Sequence, residues 1–185
     1  PAYYLSNPLE MLKIWRGGLA SHGAAIGILT ALYFFARKYK LPMLYIVDRV
    51  VITVALAGVL IRLGNLMNSE IYGVETTLPW GFIFVQDKQV VPRHPTQIYE
   101  AIAYLATYVT LHLIYINFKG KPKLGLIFGL FLIGIFATRF FIEFIKVPQV
   151  AFEESLKLNM GQILSIPFII GGLGFTLWAL HKQKA

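Results

Sequence analysis

The chain has 185 residues, of which 57% are hydrophobic and only 14% are charged. Soluble domains carry about 25% charged residues, so this composition excludes an ordinary water-soluble protein. The absence of cysteine excludes disulfides, thiolate nucleophiles and Cys-based metal sites within the chain. The net charge of +8 would suit a nucleic-acid partner, unless the basic residues have another explanation.

Five apolar segments predict membrane-spanning helices, since each approaches the roughly 20 residues that cross a hydrocarbon layer. In chain order they cover residues 19–36, 45–62, 99–118, 124–145 and 162–180. A long aromatic loop, residues 63–98, separates the second and third segments, and its alternating run 82–86 is compatible with a short strand. The predicted fold class is therefore all-α, a polytopic transmembrane bundle of about five spans. We expect a single integral membrane domain over residues 1–185.

The positions of the charged residues along the chain explain its positive net charge. Nine basic residues and one acidic residue flank the ends of the segments on one side: Arg37, Lys38, Lys40, Asp48, Arg49, Lys119, Lys121, Lys123, Lys182 and Lys184. The other side is neutral overall, so the positive-inside rule makes the first side, with the C-terminus, cytoplasmic. The loop 63–98 is then external, and the basic pI indicates topology rather than nucleic-acid binding.

Four polar groupings lie near the external ends of the segments, where ionisable groups are costly and mark a functional site or a buried pair. Residues 16–23 include Arg16 and His22, whose imidazole can transfer a proton near neutral pH. Residues 62–73 include an arginine, whose guanidinium fork matches a phosphate, and further polar residues and glycine: Arg62, Asn65, Asn68, Glu70 and Gly73. A structural histidine and a snorkelling arginine are the alternatives.

The third and fourth groupings complete the predicted site. Residues 93–100 include His94, a predicted N-cap at Thr96, and Glu100 at the start of a span, where the helix end favours an anion. In the fourth, Arg139 and Glu143 are four residues apart within an apolar segment, a spacing that predicts an intramembrane ion pair. Such a pair could equally lock two helices together without any catalytic role.

Taken together and in this order, the groupings resemble the bacterial prolipoprotein diacylglyceryl transferase family. The family signature Gly-Arg-x-Gly-Asn-Phe-x-Asn-x-Glu-x-x-Gly is matched at Arg62, Gly64, Asn65, Asn68, Glu70 and Gly73, with Ile61 and Leu66 replacing the leading Gly and the Phe. Residues 93–100, Arg-His-Pro-Thr-Gln-Ile-Tyr-Glu, are similar to a second family motif. Further matches lie at residues 16–23, 139–144 and 160–165, so the resemblance covers nearly the whole chain.

The resemblance implies transfer of a diacylglyceryl group from phosphatidylglycerol to the lipobox cysteine of a prolipoprotein, in the bacterial inner membrane and without a cofactor or metal. Arg62 and Arg139 would bind the phosphate, and His22, or else His94, would accept the thiol proton. The resemblance assigns substrate binding to Arg16, Asn65, Asn68, Glu70, Gly73, Glu100 and Glu143. It also implies that the chain lacks the first spans of the family, and Ile135 stands where a functional tyrosine is expected.

Two other interpretations remain at this point. A transporter or lipid-binding scaffold could use the same basic cavity and would bind lipid without forming a covalent product. The chain could also be an inactive fragment of the transferase.

Overall fold

The structure, a computed structural model, describes residues 21–147 and 158–182, without the side chains of residues 21, 22, 24, 25 and 182. This part of the chain contains five α-helices: α1 (Ser21–Tyr39), α2 (Met43–Met67), α3 (Thr96–Asn117), α4 (Leu126–Ile142) and α5 (Met160–Lys182). The chain divides into two compact units, Pro1–Met43 and Leu44–Ala185. The first contains α1, and the second contains nearly all of α2 together with α3, α4 and α5.

The predicted all-α membrane fold is confirmed, and an α-helix overlaps each of the five predicted segments. Three helical stretches are long and apolar enough to cross a membrane, Met43–Met67, Leu126–Ile145 and Met160–His181, with mean hydropathies of 2.2, 2.0 and 2.0. Helices α1 and α3 are not among these three stretches. They contain charged residues, such as Arg37 in the last turn of α1 and the buried Glu100 near the start of α3. The count of five spans and the single-domain organisation stay predictions.

The loop between α2 and α3 is ordered by isolated pairings rather than by a sheet. Phe82 and Glu75 each form a single antiparallel bridge with Arg93, and Val85–Asp87 is a 3-10 turn. The strand that the run 82–86 allowed is therefore not formed within the described residues. The chain turns back at Lys88, which has a left-handed φ of 55°, before a second pair of residues can join the bridge at Phe82.

Helices α4 and α5 approach closely through two glycines. A Cβ on Gly129 would lie 2.8 Å from the carbonyl oxygen of Gly172, and a Cβ on Gly172 would lie 2.8 Å from that of Gly129. Small residues allow this approach in membrane bundles, where burial of apolar surface does not drive helices together. Gly125 precedes α4 in a left-handed conformation with φ 82°, so it shapes the entry to the helix.

The predicted cytoplasmic end of α2 is held by two adjacent charged residues. Asp48 is fully buried and accepts hydrogen bonds from the backbone N–H groups of Gly125 and Phe128, at 2.7 and 2.8 Å, at the start of α4. A carboxylate at a helix N-terminus meets unpaired N–H groups and the positive end of the helix dipole. Arg49 donates to the carbonyl of Gly120 at 2.8 Å and lies over the ring of Tyr45.

Candidate functional site

At the opposite end of α2, three helices meet around a small apolar cluster. Val59 of α2 and Ala101 and Tyr104 of α3 are buried together, and Ile135 of α4 packs against them. Arg62 is three residues beyond Val59 on α2, and Arg139 is four residues beyond Ile135 on α4. Since an α-helix turns once in about 3.6 residues, both arginines lie about one turn further toward the end of the helices that is predicted to be external.

Glu100 is the centre of the ion pairs that follow this apolar cluster. Its side chain is fully buried, with Oε2 3.0 Å from Arg62 Nε and Oε1 2.9 Å from Lys146 Nζ. Lys146 Nζ also lies 3.5 Å from Oε2 of Glu143, which is 11% exposed. In the described part of the chain, neither Glu100 Oε2 nor Glu143 Oε2 has an aligned hydrogen-bond donor, so these two oxygens interact with their cationic partners through charge alone. Loss of one partner from so buried a network would leave an uncompensated charge.

The residues after α2 fold back onto this ion-pair network. Arg62 Nη1 donates to Asn65 Oδ1 at 3.4 Å, and Asn65 Nδ2 donates to Glu70 Oε2 at 3.0 Å. Ser69 and Ile71 have left-handed φ angles of 56° and 60°, which are uncommon for residues other than glycine. Arg62 and Asn65, three residues apart on α2, therefore lie on one face of the helix, and Glu70 is exposed beside them.

Two buried side chains at the start of α3 support this strained turn. Thr96 donates its hydroxyl to the carbonyl of Ile71 at 2.8 Å, and Gln97 Nε2 donates to the carbonyl of Glu70 at 2.6 Å. Thr96 is therefore not the N-cap that the sequence predicted: Pro95 holds that position, and no side chain caps the helix there. The Thr96 hydroxyl instead stabilises the turn at residues 69–71.

Gly73 occupies a position that no side chain could fill. A Cβ there would lie 2.5 Å from the carbonyl oxygen of Ile145 and 2.7 Å from the Cβ of His94. Its backbone pairs with Lys146 in an isolated bridge. Gly73 therefore supports the site through close packing of the loop against the end of α4.

Arg139 departs from the expected pairing with Glu143. Among the described residues Glu143 pairs with Lys146, and no ion pair joins it to Arg139. The helix gives way to a 3-10 turn at Glu143–Ile145, so the i, i+4 geometry ends where that pair would form. Arg139 Nε is buried and has no hydrogen-bond partner among residues 21–147 and 158–182. Arg62 Cζ lies 5.9 Å from the centre of the Tyr104 ring, and Arg139 lies about one turn beyond Ile135, which packs against the cluster that contains Tyr104.

His94 and Asn68 lie apart from the ion pairs. His94 Nδ1 is 3.2 Å from the hydroxyl of Tyr99, which also accepts a hydrogen bond from Trp80 Nε1 at 2.9 Å. Asn68 is exposed, and its side chain forms no hydrogen bond with the described part of the chain. The expectation that these two residues join the site stays a prediction.

The first polar grouping lies mostly outside the described residues. Arg16 falls within residues 1–20, and His22 is in α1 without a described side chain. Their predicted roles therefore stay untested.

Lys146 and Gln97 are the site residues that sequence reasoning missed. Lys146 follows Glu143 by three residues at the end of an apolar segment, a spacing that would have predicted the pair. Gln97 lies within the third grouping, but nothing in the sequence indicates that its side chain is fully buried.

The balance of charge at this site favours an anion. Among the described residues, Arg62 and Lys146 pair with the two buried carboxylates of Glu100 and Glu143. Arg139, one helical turn beyond the apolar cluster, adds a third positive charge that has no ion pair in this part of the chain. Glu70 adds a third carboxylate, but it is exposed to solvent, where charge is screened. Arg139 Nε in addition has no protein acceptor. The arrangement can bind a phosphate group and stabilise charge on it.

Comparison with known proteins gives a consistent result. A family model described as prolipoprotein diacylglyceryl transferase matches residues 2–178. The chain is 46% identical over 186 residues to a phosphatidylglycerol–prolipoprotein diacylglyceryl transferase of Tolumonas auensis, covering 100% of this chain and 71% of that protein. Proteins of the same name from Porphyromonas gingivalis and Bacteroides fragilis are 45% and 43% identical, covering 98% and 100% of this chain and 69% and 70% of theirs. The chain belongs to the prolipoprotein diacylglyceryl transferase family.

Proposed function

We propose that this chain transfers the sn-1,2-diacylglyceryl group of phosphatidylglycerol to the lipobox cysteine thiol of a prolipoprotein. The cysteine sulfur attacks the glyceryl carbon that carries the phosphate. A C–S thioether bond forms, the C–O bond breaks, and glycerol phosphate leaves with the bonding pair. The observation that carries the proposal is the buried Nε of Arg139, which has no acceptor in the described part of the chain, one helical turn beyond the cluster from which Arg62 and Glu100 also extend.

Arg62 and Arg139 have the main chemical roles in this proposal. Their guanidinium groups would bind the phosphodiester and stabilise the charge that develops on the leaving glycerol phosphate. The positions of Asn65 and Glu70, linked to each other and to Arg62, would suit contacts with the glycerol head group. Asn68 and Arg16 would add to head-group binding from the neighbouring polar segments.

The thiol proton requires an acceptor, and two histidines are candidates. We assign the role to His22 first and to His94 second, because an imidazole can accept a proton near neutral pH. If His22→Ala retained near-normal turnover while His94→Ala lost it, the two assignments would be exchanged.

An apolar groove between α3 and α4 is consistent with a lipid substrate. It encloses a volume of about 270 Å³. Thr107, Leu111, Ile133 and Gly134 are among the residues that line it. Because these positions follow Tyr104 inward along the helices, an acyl chain could lie there with its phosphate at the arginines.

The chain is a membrane protein with its proposed site toward the external face of the bacterial inner membrane. This orientation follows from the concentration of basic residues at the other ends of the helices. The phosphatidylglycerol of the outer leaflet and a prolipoprotein emerging from the membrane would both reach the site from that side.

Mass spectrometry of a lipobox peptide incubated with the full chain and phosphatidylglycerol tests the proposal. We expect a diacylglyceryl mass increase on the cysteine, and none when serine replaces that cysteine or phosphatidylcholine replaces the donor. Arg62→Ala and Arg139→Ala should both reduce product. Lipid binding without any product would instead indicate a lipid-binding protein, and retained turnover in Arg139→Ala would remove its leaving-group role.

A further inference from the structure

Lys146 stands where the loop and the helix bundle meet. It follows the 3-10 turn at the end of α4, and its backbone forms a bridge with Gly73. Its side chain is only 5% exposed and contacts two carboxylates, those of Glu100 and Glu143. A lysine is rarely buried unless it is paired, and here one ammonium group serves both acidic residues.

We propose that Lys146 is a positioning residue for phospholipid binding, an inference that rests on the proposed function. By pairing with Oε1 of Glu100, Lys146 holds that carboxylate so that Oε2 faces Arg62 Nε. The positive charge of Arg62 is thereby held beside this oxygen. Lys146 itself acts through Glu100 and Glu143 and needs no contact with the lipid.

The charge balance gives Lys146 a second effect. Arg62 and Lys146 are the cationic partners of the two buried carboxylates, and Arg139 has no ion pair among the described residues. Without Lys146, Glu143 would lose its ion-pair partner in this part of the chain, and Arg139, four residues earlier on α4, would be the nearest cation along the sequence. Each carboxylate released by Lys146 would compete with the lipid phosphate for a guanidinium, because a buried carboxylate needs a cationic partner. Lys146 therefore keeps the two arginines available to an anion.

Three variants of the full chain separate this role from simple structural support. Lys146→Met removes the charge at similar side-chain length, Lys146→Arg keeps it, and Lys146→Met with Glu143→Gln removes one positive and one negative charge together. Native mass spectrometry of the detergent-solubilised chain with phosphatidylglycerol or phosphatidylcholine measures the binding of each lipid. Turnover on a lipobox peptide is measured in parallel as kcat and KM for phosphatidylglycerol.

We expect Lys146→Met to weaken phosphatidylglycerol binding about tenfold to a hundredfold, as for the loss of one hydrogen bond to a charged group. Lys146→Arg should stay within about threefold, since a guanidinium fork can serve two carboxylates. The double variant, with its positive surplus restored, should recover most of the binding. A merely structural role would not produce this recovery, because the double variant has lost more native contacts than the single one.

Two results would overturn the inference. One is unchanged phosphatidylglycerol affinity in Lys146→Met; the other is a folded double variant that binds no better than Lys146→Met. If Lys146→Met fails to fold, the double variant and Lys146→Arg decide the matter through the same binding measurement. Failure of the proposed function has a different signature, since the unaltered chain would then not prefer phosphatidylglycerol over phosphatidylcholine at all.

Discussion

Helix α2 carries a charged side chain near each of its ends, Asp48 near the start and Arg62 near the other end, and the two have different partners. Near its start, Asp48 accepts two backbone hydrogen bonds from the first residues of α4, one to each carboxylate oxygen. Near its other end, Arg62 joins a network in which Glu100 and Glu143 each have an oxygen without an aligned donor, and Arg139 Nε has no acceptor. The carboxylate of Asp48 has its hydrogen-bond partners within the protein, whereas the network around Arg62 contains polar atoms that lack theirs among the described residues.

This difference separates a structural site from a binding site. A carboxylate at a helix N-terminus compensates unpaired N–H groups that the fold itself creates, so Asp48 gains nothing from a ligand. Buried donors without acceptors cost free energy in the unbound protein. A ligand that supplies the missing acceptor recovers that cost, and for this reason the Arg62 end is the one suited to a phosphate.

The largest expected effect on turnover is that of Arg62→Ala, and the same substitution of an arginine at the other end of α2 is its control. Arg62→Ala should reduce transfer to a lipobox peptide by about a hundredfold to a thousandfold, the usual loss when a group that stabilises developing charge is deleted. Arg49→Ala is the matched control, because Arg49 contacts Gly120 and the ring of Tyr45 far along the same helix. It should keep most of the turnover per folded molecule. Comparable losses in both variants would contradict the division between the two ends.

Asp48→Ala should act on stability instead of turnover. The substitution leaves the N–H groups of Gly125 and Phe128 without their acceptor, and we expect a loss of about 2 kcal/mol, the upper range for a lost helix cap. Thermal unfolding in detergent measures the loss, with Asp48→Asn as the control that keeps one acceptor oxygen. A fall in turnover of the folded Asp48→Asn variant would show that this end also affects the reaction.

Glycine positions sharpen the comparison at the functional end. A Cβ on Gly161 would lie 2.4 Å from Cδ of Glu143, whereas one on Gly171 of the same helix would meet nothing within 4 Å. Gly161→Ala must therefore displace the carboxylate that pairs with Lys146, and we expect turnover to fall about tenfold, as for a small misplacement of a binding group. Gly171→Ala should leave turnover unchanged. Equal kinetics in the two variants would mean that the placement of Glu143 does not matter.

The sequence predicted the helices well because apolar length is a strong and local signal. Each predicted span overlaps a helix, and the segment 45–62 lies wholly within Met43–Met67. The Arg62–Asn65 contact was also predictable, since it depends on helical spacing within one element. These successes concern interactions between residues close in the chain.

The predictions that missed depend on how distant elements meet. Arg139 and Glu143 have the spacing of an ion pair, but Glu143 begins a 3-10 turn and pairs with Lys146. Thr96 has the sequence position of an N-cap, but its hydroxyl binds the carbonyl of Ile71, 25 residues earlier. In both cases a tertiary partner competes with the local one, and a single sequence does not contain its position.

The smallest expected effect concerns the loop between α2 and α3, which lies at the Arg62 end of α2. The hydroxyl of Tyr72 donates a hydrogen bond to Asp87, and this bond, with partial burial, raises the pKa of Tyr72 above its ordinary value. The contribution of this bond to stability is therefore complete below about pH 10, the ordinary tyrosine pKa, and is lost as the pH rises through the raised pKa. Phenolate absorbance of the unaltered chain minus that of Tyr72→Phe gives this pKa. Asp87→Asn should lower it toward the ordinary value, and an identical titration in both chains would mean that Asp87 does not hold the loop.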